Sequence, residues 1–227
     1  MLGPAALLRP PSPSFALSSP ACIVEAVTLD ATTRRVTWRH DDDMVAQEWC
    51  TLVMRDAGLS FVGTVVGAVG GRPLRVEYRV LAAPDGPTTA AHVRQWHGFE
   101  LRTLTLVRDQ NGGWMVDGSR VGGLRGAADV DLGLSPATNT LPIRRLRLPV
   151  GGSRRVTVAW VRFPELTVER AAQTYTRLDG LTYRFESGSV SAELAVDEEG
   201  LVVAYTGWRR TGIAYGPDDA EALDAFR

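Results

Sequence analysis

The residues best suited to chemistry lie in one short stretch, ADVDLGLSPATNTLPIRRLRL, from Ala128 to Leu148. It holds Asp129, Asp131, Asn139, Arg144 and Arg145. Carboxylates and a primary amide accept hydrogen bonds in pairs, and each guanidinium offers a rigid double donor. Such a set can read the hydroxyls of a sugar-like head group. The same residues can instead lock a loop, with Asp129 or Asp131 paired to Arg144, Thr138 and Asn139 capping a turn, and Pro142 fixing the exit. Both readings stand together, since a lock beside a pocket mouth is also its rim. The stretch is too polar and irregular to be expected in a core. Trp96 follows a loop and Trp114 a glycine turn, which makes them the tryptophans expected at a pocket lip. Trp160, on an alternating apolar face, is expected in the core.

Other chemistries are poorly supported. All 25 basic residues are arginine, so lysine-dependent phosphate loops, Schiff bases and Ser-Lys dyads are excluded. Asp41, Asp42 and Asp43 are consecutive and lack the alternating spacing of a calcium loop. His92 and His97 have no HExxH pattern or nearby cysteine, so no metal is expected. No G-x-S-x-G elbow occurs, and the glycines from Gly63 to Gly71 make no phosphate loop. No cofactor is expected. An enzyme acting on an amphiphile, a hydrolase or isomerase with acid-base groups among Asp129, Asp131 and Arg144, remains the alternative to a non-catalytic binder. A protein-interaction module is a third option.

The elements that must carry these residues read as strands. In LRVEYRVLA, Val76, Tyr78 and Val80 alternate with Arg75, Glu77 and Arg79. VSAELAV and RRVTVAWVRF alternate likewise, with Val156, Val158 and Trp160 on one side. This period of two marks antiparallel strands with one buried face. Three hairpins are signalled: a two-residue turn at Asp179–Gly180, a four-residue loop with Gly200 at positive φ, and a turn at Asn111–Gly112. Helical patterns are scarce. A short turn near SPATN and a short C-terminal helix capped by Asp218 are the candidates. The expectation is an all-β, mainly antiparallel roll or half-open barrel with little helix.

The chain has 227 residues, 44% apolar and 22% charged, with a net charge of -1. That length suits one sizeable core, and the balanced charge argues against nucleic-acid binding. Cys22 and Cys50 match no zinc or redox spacing. The apolar start is broken by Arg9, Pro10, Pro11 and Pro13, a poor signal peptide. Residues 1–30 are expected to be a disordered extension, 31–216 one domain, and 217–227 a short helix or tail. No run of about 20 apolar residues exists to cross a membrane as a helix, so a cytoplasmic protein is expected.

The segments DVDLGLSPATNTLPIRRLRL, VTVAWVRFPELTVERAAQTY and LAVDEEGLVVAYTGWRR resemble the putative glycolipid-binding protein family. WRHDDDMVAQEWCTLVMRDAGLSFVGTVVG and PLRVEYRVL are similar to its opening strands. The resemblance spans Val36 to Arg210. Its distinctive elements are Asp-x-Asp at 129–131, Ser-Pro-x-Thr-Asn-x-Leu-Pro at 135–142 and Arg-Arg-Leu at 144–146. It departs in the long N-terminal extension and at Trp208, where a tyrosine-proline pair is the family's pattern. The resemblance implies a spiral all-β roll, similar to the half-open barrel of bacterial lipoprotein carriers. It implies a ligand with an apolar tail and a sugar head.

Overall fold

The computed structural model describes residues 32–42, 44–84 and 86–216. The expected N-terminal extension and C-terminal helix lie outside these residues. Eight strands form the first half: β1 (Thr32–His40), β2 (Ala46–Arg55), β3 (Gly58–Val69), β4 (Arg72–Ala82), β5 (Thr88–His97), β6 (Glu100–Arg108), β7 (Trp114–Val116) and β8 (Ser119–Arg120). Then come β9 (Asp129–Leu132), a 3-10 turn over Ala137–Asn139 and the helix α1 (Thr140–Leu146). The second half is β10 (Ser153–Arg162), β11 (Thr167–Arg177), β12 (Thr182–Ser187), β13 (Val190–Val196), β14 (Val202–Tyr205) and β15 (Trp208–Gly216).

All fifteen strands among the described residues belong to one sheet, in the order β8 to β1, then β15 down to β9. Neighbours are antiparallel except β9 and β10, which run parallel. The sheet does not close into a barrel. The edge strand β9 nevertheless reaches back to the first half of the sheet, at the start of β5. Thr88 N donates to Ala128 O, and Val130 N donates to the Thr88 hydroxyl.

Alternation determines which side chains fill the interior. Leu74, Val76, Tyr78 and Val80 of β4 point inward, with Arg75 on the outside. Strand β10 is buried on both faces, since Val156 and Val158 join one core while Ala159 and Val161 join the other. The larger core lies under the first half. The smaller lies under β10 to β14 and is covered by Ile143 and Leu148. The indole of Trp38 joins the halves, donating to Val202 O at 2.8 Å.

The middle stretch differs most from expectation. Residues 134–143 are all buried, and Leu134, Ala137 and Leu141 belong to the larger core. It is a plug inside the coiled sheet rather than a surface loop. Its polar groups are tolerated there because they bond within the plug and to the sheet. The Ser135 hydroxyl accepts from Ala137 N, and the Thr138 hydroxyl accepts from Leu132 N. Pro142 does not mark an exit. It sits in the first turn of α1, where a missing N–H costs no intrahelical bond, and the helix ends at Arg147 with φ 44°. Asn139 stands at the helix start but makes no capping bond with its side chain.

The three hairpins form. The Asp179–Gly180 turn is wider than two residues, because β11 ends at Arg177 and β12 begins at Thr182. Its aspartate accepts from Leu181 N and Thr182 N, closing a local turn that replaces two ladder positions. Gly200 takes φ 80° and Gly112 takes φ 78°.

Candidate functional site

Asp129 and Asp131 lie two apart on β9, so both point to the same face. That face looks toward β11, where Gln173 and Tyr175 share a side for the same reason. The Asp131 carboxylate accepts from Gln173 Nε2 at 2.6 Å and from the Thr138 hydroxyl at 3.3 Å. Tyr175 donates to Asn139 Oδ1 at 2.8 Å. The Asp131 carboxylate, the Thr138 hydroxyl and Asn139 amide of the plug, and the Gln173 amide and Tyr175 phenol of the sheet thus form one network. Burial raises the Asp131 carboxyl above the usual aspartate range, against the lowering effect of Gln173 and Thr138. Burial also lifts the Tyr175 phenol well above its ordinary value.

Arg145 holds the other carboxylate, Asp129. Its guanidinium makes a double contact with Asp129, at 2.6 and 3.3 Å. Burial raises the Asp129 carboxyl, and Arg145 opposes that rise. Arg145, not Arg144, is therefore the partner of the aspartate. Successive helical residues are turned by about 100°, which sends Arg144 to the other side of α1. There its guanidinium donates to Glu199 O at 2.8 Å and lines a separate cleft with Arg147 and Arg177.

A cleft of about 600 Å³ opens over Asp131, Asn139 and Gln173. Its other walls include Trp160, Phe185, Tyr205 and Trp208. Trp160 stands directly opposite Asp131 in the parallel pairing of β9 and β10. Phe185 packs edge-on between Tyr175 and Tyr205, with ring centroids 5.3 and 5.4 Å apart. Burial pushes the Tyr205 phenol up to about 12, and the nearby Asp131 adds to the rise. The size suits a small-molecule site, for which roughly 300–1,000 Å³ is usual. A polar base with aromatic walls can hold a ring that has both hydroxyls and apolar C–H faces.

The two tryptophans expected at the lip are elsewhere. Trp114 is buried in the larger core, its indole donating to Ala127 O at 3.0 Å. Trp96 lies on the outer face of β5, between Arg75 and Leu101 in register. Trp160 and Trp208 line the cleft in their stead. Nothing local in the sequence distinguishes them, because the β9–β10 pairing that brings Trp160 to Asp131 is long-range.

A second buried network lies behind the cleft wall. Glu48 of β2 is buried and accepts at Oε1 from the hydroxyls of Tyr78 and Ser135, the latter at 2.6 Å. Its Oε2 is buried without a partner. Burial pushes this carboxyl up to about 8, beyond what the two hydroxyls offset. The adjacent Cys50 thiol is free and buried, and burial raises it as well. Glu48 escaped the sequence reading, although it shares the inward phase of Ala46 and Cys50 on β2.

Among the described residues no cluster of three His, Cys, Asp or Glu side chains could hold a metal. The histidines are engaged singly, His40 with Met44 O, His92 with the Thr105 hydroxyl and His97 with Val69 O.

The fold and cleft define a class: an open, coiled, mainly antiparallel sheet with a cleft of about 600 Å³ beside an internal plug. The chain belongs to the family described as "Putative glycolipid-binding", whose model matches residues 35–210. It is also similar to the crystal structure of a DUF1089 family protein from Pseudomonas aeruginosa, with 32% identity and a TM-score of 0.65. That likeness covers 75% of this chain and 92% of the other. No match was found among curated proteins.

Proposed function

We propose that the protein binds an amphiphile, a glycolipid or a lipid-like molecule with a hydroxyl-rich head, in the cleft over Asp131, without transforming it. The observation that carries this reading is the pairing of a polar base with aromatic walls. Asp131 and the amides of Asn139 and Gln173 supply acceptors and donors for hydroxyls. Trp160, Phe185, Tyr205 and Trp208 supply ring faces and edges for the C–H surfaces of a sugar or the first methylenes of a tail. Each methylene removed from water contributes about 0.8 kcal/mol. The family description supports the same ligand class. Asp129 and Arg145 hold the base from behind, and Arg144 takes no part. The compartment we propose is the cytoplasm, a reading supported by the free thiol of Cys50.

The test is extraction of the purified protein followed by mass spectrometry of bound lipid, with glycolipid titration read by tryptophan fluorescence. Trp160→Ala and Asp131→Asn should lose bound amphiphile while keeping a cooperative melt. Unchanged lipid content in both variants would remove the cleft from the binding role.

A further inference from the structure

The outer face of the first half-sheet carries a different chemistry. Strand register sets Val66, Arg75, Trp96 and Leu101 in one row across β3, β4, β5 and β6. Trp49 lies in the adjoining row, opposite Thr64. Leu101 is 49% exposed, Val66 46% and Trp49 46%, and Phe99 at the tip of the β5–β6 hairpin is wholly exposed. Isolated apolar residues on a surface need no explanation, but several aromatic and aliphatic residues gathered on one sheet face do. Arginines are interleaved with it. The guanidiniums of Arg75 and Arg94 lie 4.5 and 4.9 Å from the centroid of the Trp96 ring. Both also pair with Glu77, so this trio of side chains carries a net positive charge.

We propose that this face docks on the surface of a lipid bilayer bearing anionic head groups. Tryptophan settles at the boundary between water and hydrocarbon, because its ring is apolar and its N–H polar. Phe99 and Leu101 stand where a hairpin tip would enter the outer acyl region. Arg75 and Arg94, at the level of Trp96, would meet phosphates in paired geometry. The charge pattern favours a bilayer over a second copy of this chain. A two-fold contact through the same face would set arginine against arginine, whereas an anionic surface sets it against phosphate. The protruding Phe99 also needs a partner that yields around it, which fluid lipid does without a preformed pocket. The patch shares no residue with the Asp131 cleft, so it goes beyond the proposed binding function and does not depend on it.

The experiment is co-sedimentation of the full chain with vesicles of phosphatidylcholine alone, or mixed with phosphatidylglycerol. Neither contains glycolipid, so occupancy of the cleft by a sugar head cannot produce the signal. Binding is expected to the mixed vesicles, weaker to phosphatidylcholine and weaker in high salt. Phe99→Asp and Leu101→Asp should each lower vesicle affinity by about tenfold or more, equivalent to at least 1.4 kcal/mol, with unchanged melting. Trp160→Ala should bind vesicles as the parent does, even if it loses its amphiphile. No sedimentation with mixed vesicles, or equal sedimentation of Phe99→Asp, would overturn the proposal. So would a concentration-dependent dimer that Phe99→Asp abolishes while vesicle binding is absent.

Discussion

Arg145→Ala should strand a carboxylate inside the protein. Asp129 is 1% exposed and receives both of its guanidinium contacts from Arg145. Without that partner it must either stay charged in a dry site or hold a proton. Breaking a buried pair from one side costs about 3–5 kcal/mol. Protonation sets a ceiling. An ordinary aspartate titrates near about 3.9, so holding the proton at pH 7 costs about 1.4 kcal/mol for each of roughly three pH units, about 4 kcal/mol in all. The Arg145 side chain is 20% exposed, so water can enter the space it leaves. The expected loss therefore sits at the lower end, about 3 kcal/mol. In a domain of this size that lowers Tm by roughly 6–12 °C. The sign with pH follows from linkage. Burial already raises this carboxyl in the parent, and the variant holds the proton to still higher pH, so its deficit grows as pH rises through and beyond the parent's Asp129 range and is smaller at pH 5 than at pH 7. Urea unfolding of variant and parent at pH 5 and pH 7 measures both values. A deficit under about 1 kcal/mol at pH 7, or one equal at the two pH values, would refute the reasoning. Adding Asp129→Asn to Arg145→Ala should recover most of the loss.

Arg144→Ala should cost much less, about 0.5–1.5 kcal/mol in the same assay, since it removes one hydrogen bond to Glu199 O. Burial pushes the folded Glu48 up to about 8 from 4.5. The folded state thus keeps a proton that the unfolded chain gives up, and this group lowers stability as pH rises between those values. Glu48→Gln should gain on the parent by up to about 1.4 kcal/mol per pH unit across that window, read from urea midpoints; parallel pH profiles would contradict it. Gly63→Ala places a Cβ 2.4 Å from Cζ of Tyr78. Overpacking of this kind costs about 1–3 kcal/mol, so its thermal melt should fall clearly below the parent's.

Most of the sheet was legible, because period-two alternation is written residue by residue and hairpin turns carry their own glycine and aspartate signals. The plug was not. LGLSPATNT looks like a surface loop, since its serine, threonines and asparagine are satisfied by groups far away in sequence. Ser135 meets Glu48 and Asn139 meets Tyr175. The family resemblance singled out the same stretch without revealing that it is interior. The choice between Arg144 and Arg145 needed the helix phase, which a turn of unknown extent cannot supply. The tryptophans were misplaced because Trp114 follows a glycine turn that folds back over the core, while Trp160 reaches Asp131 through a parallel pairing without a turn signature.

The adjacency of β1 and β15 has a consequence for how the chain is made. Strand β1 leaves the ribosome early, and its partner on one side is the last described strand to follow. Until then one edge of β1 presents unpaired backbone groups, a template for wrong pairing. Trp38 waits as well, because its acceptor Val202 belongs to β14. Tyr205 and Trp208 flank the final turn, so a nascent chain that stops before β14 has the base of the cleft without those two aromatic walls. Completion of the cleft is thereby tied to completion of the sheet: the step that seals the exposed edge also adds the last two aromatic walls.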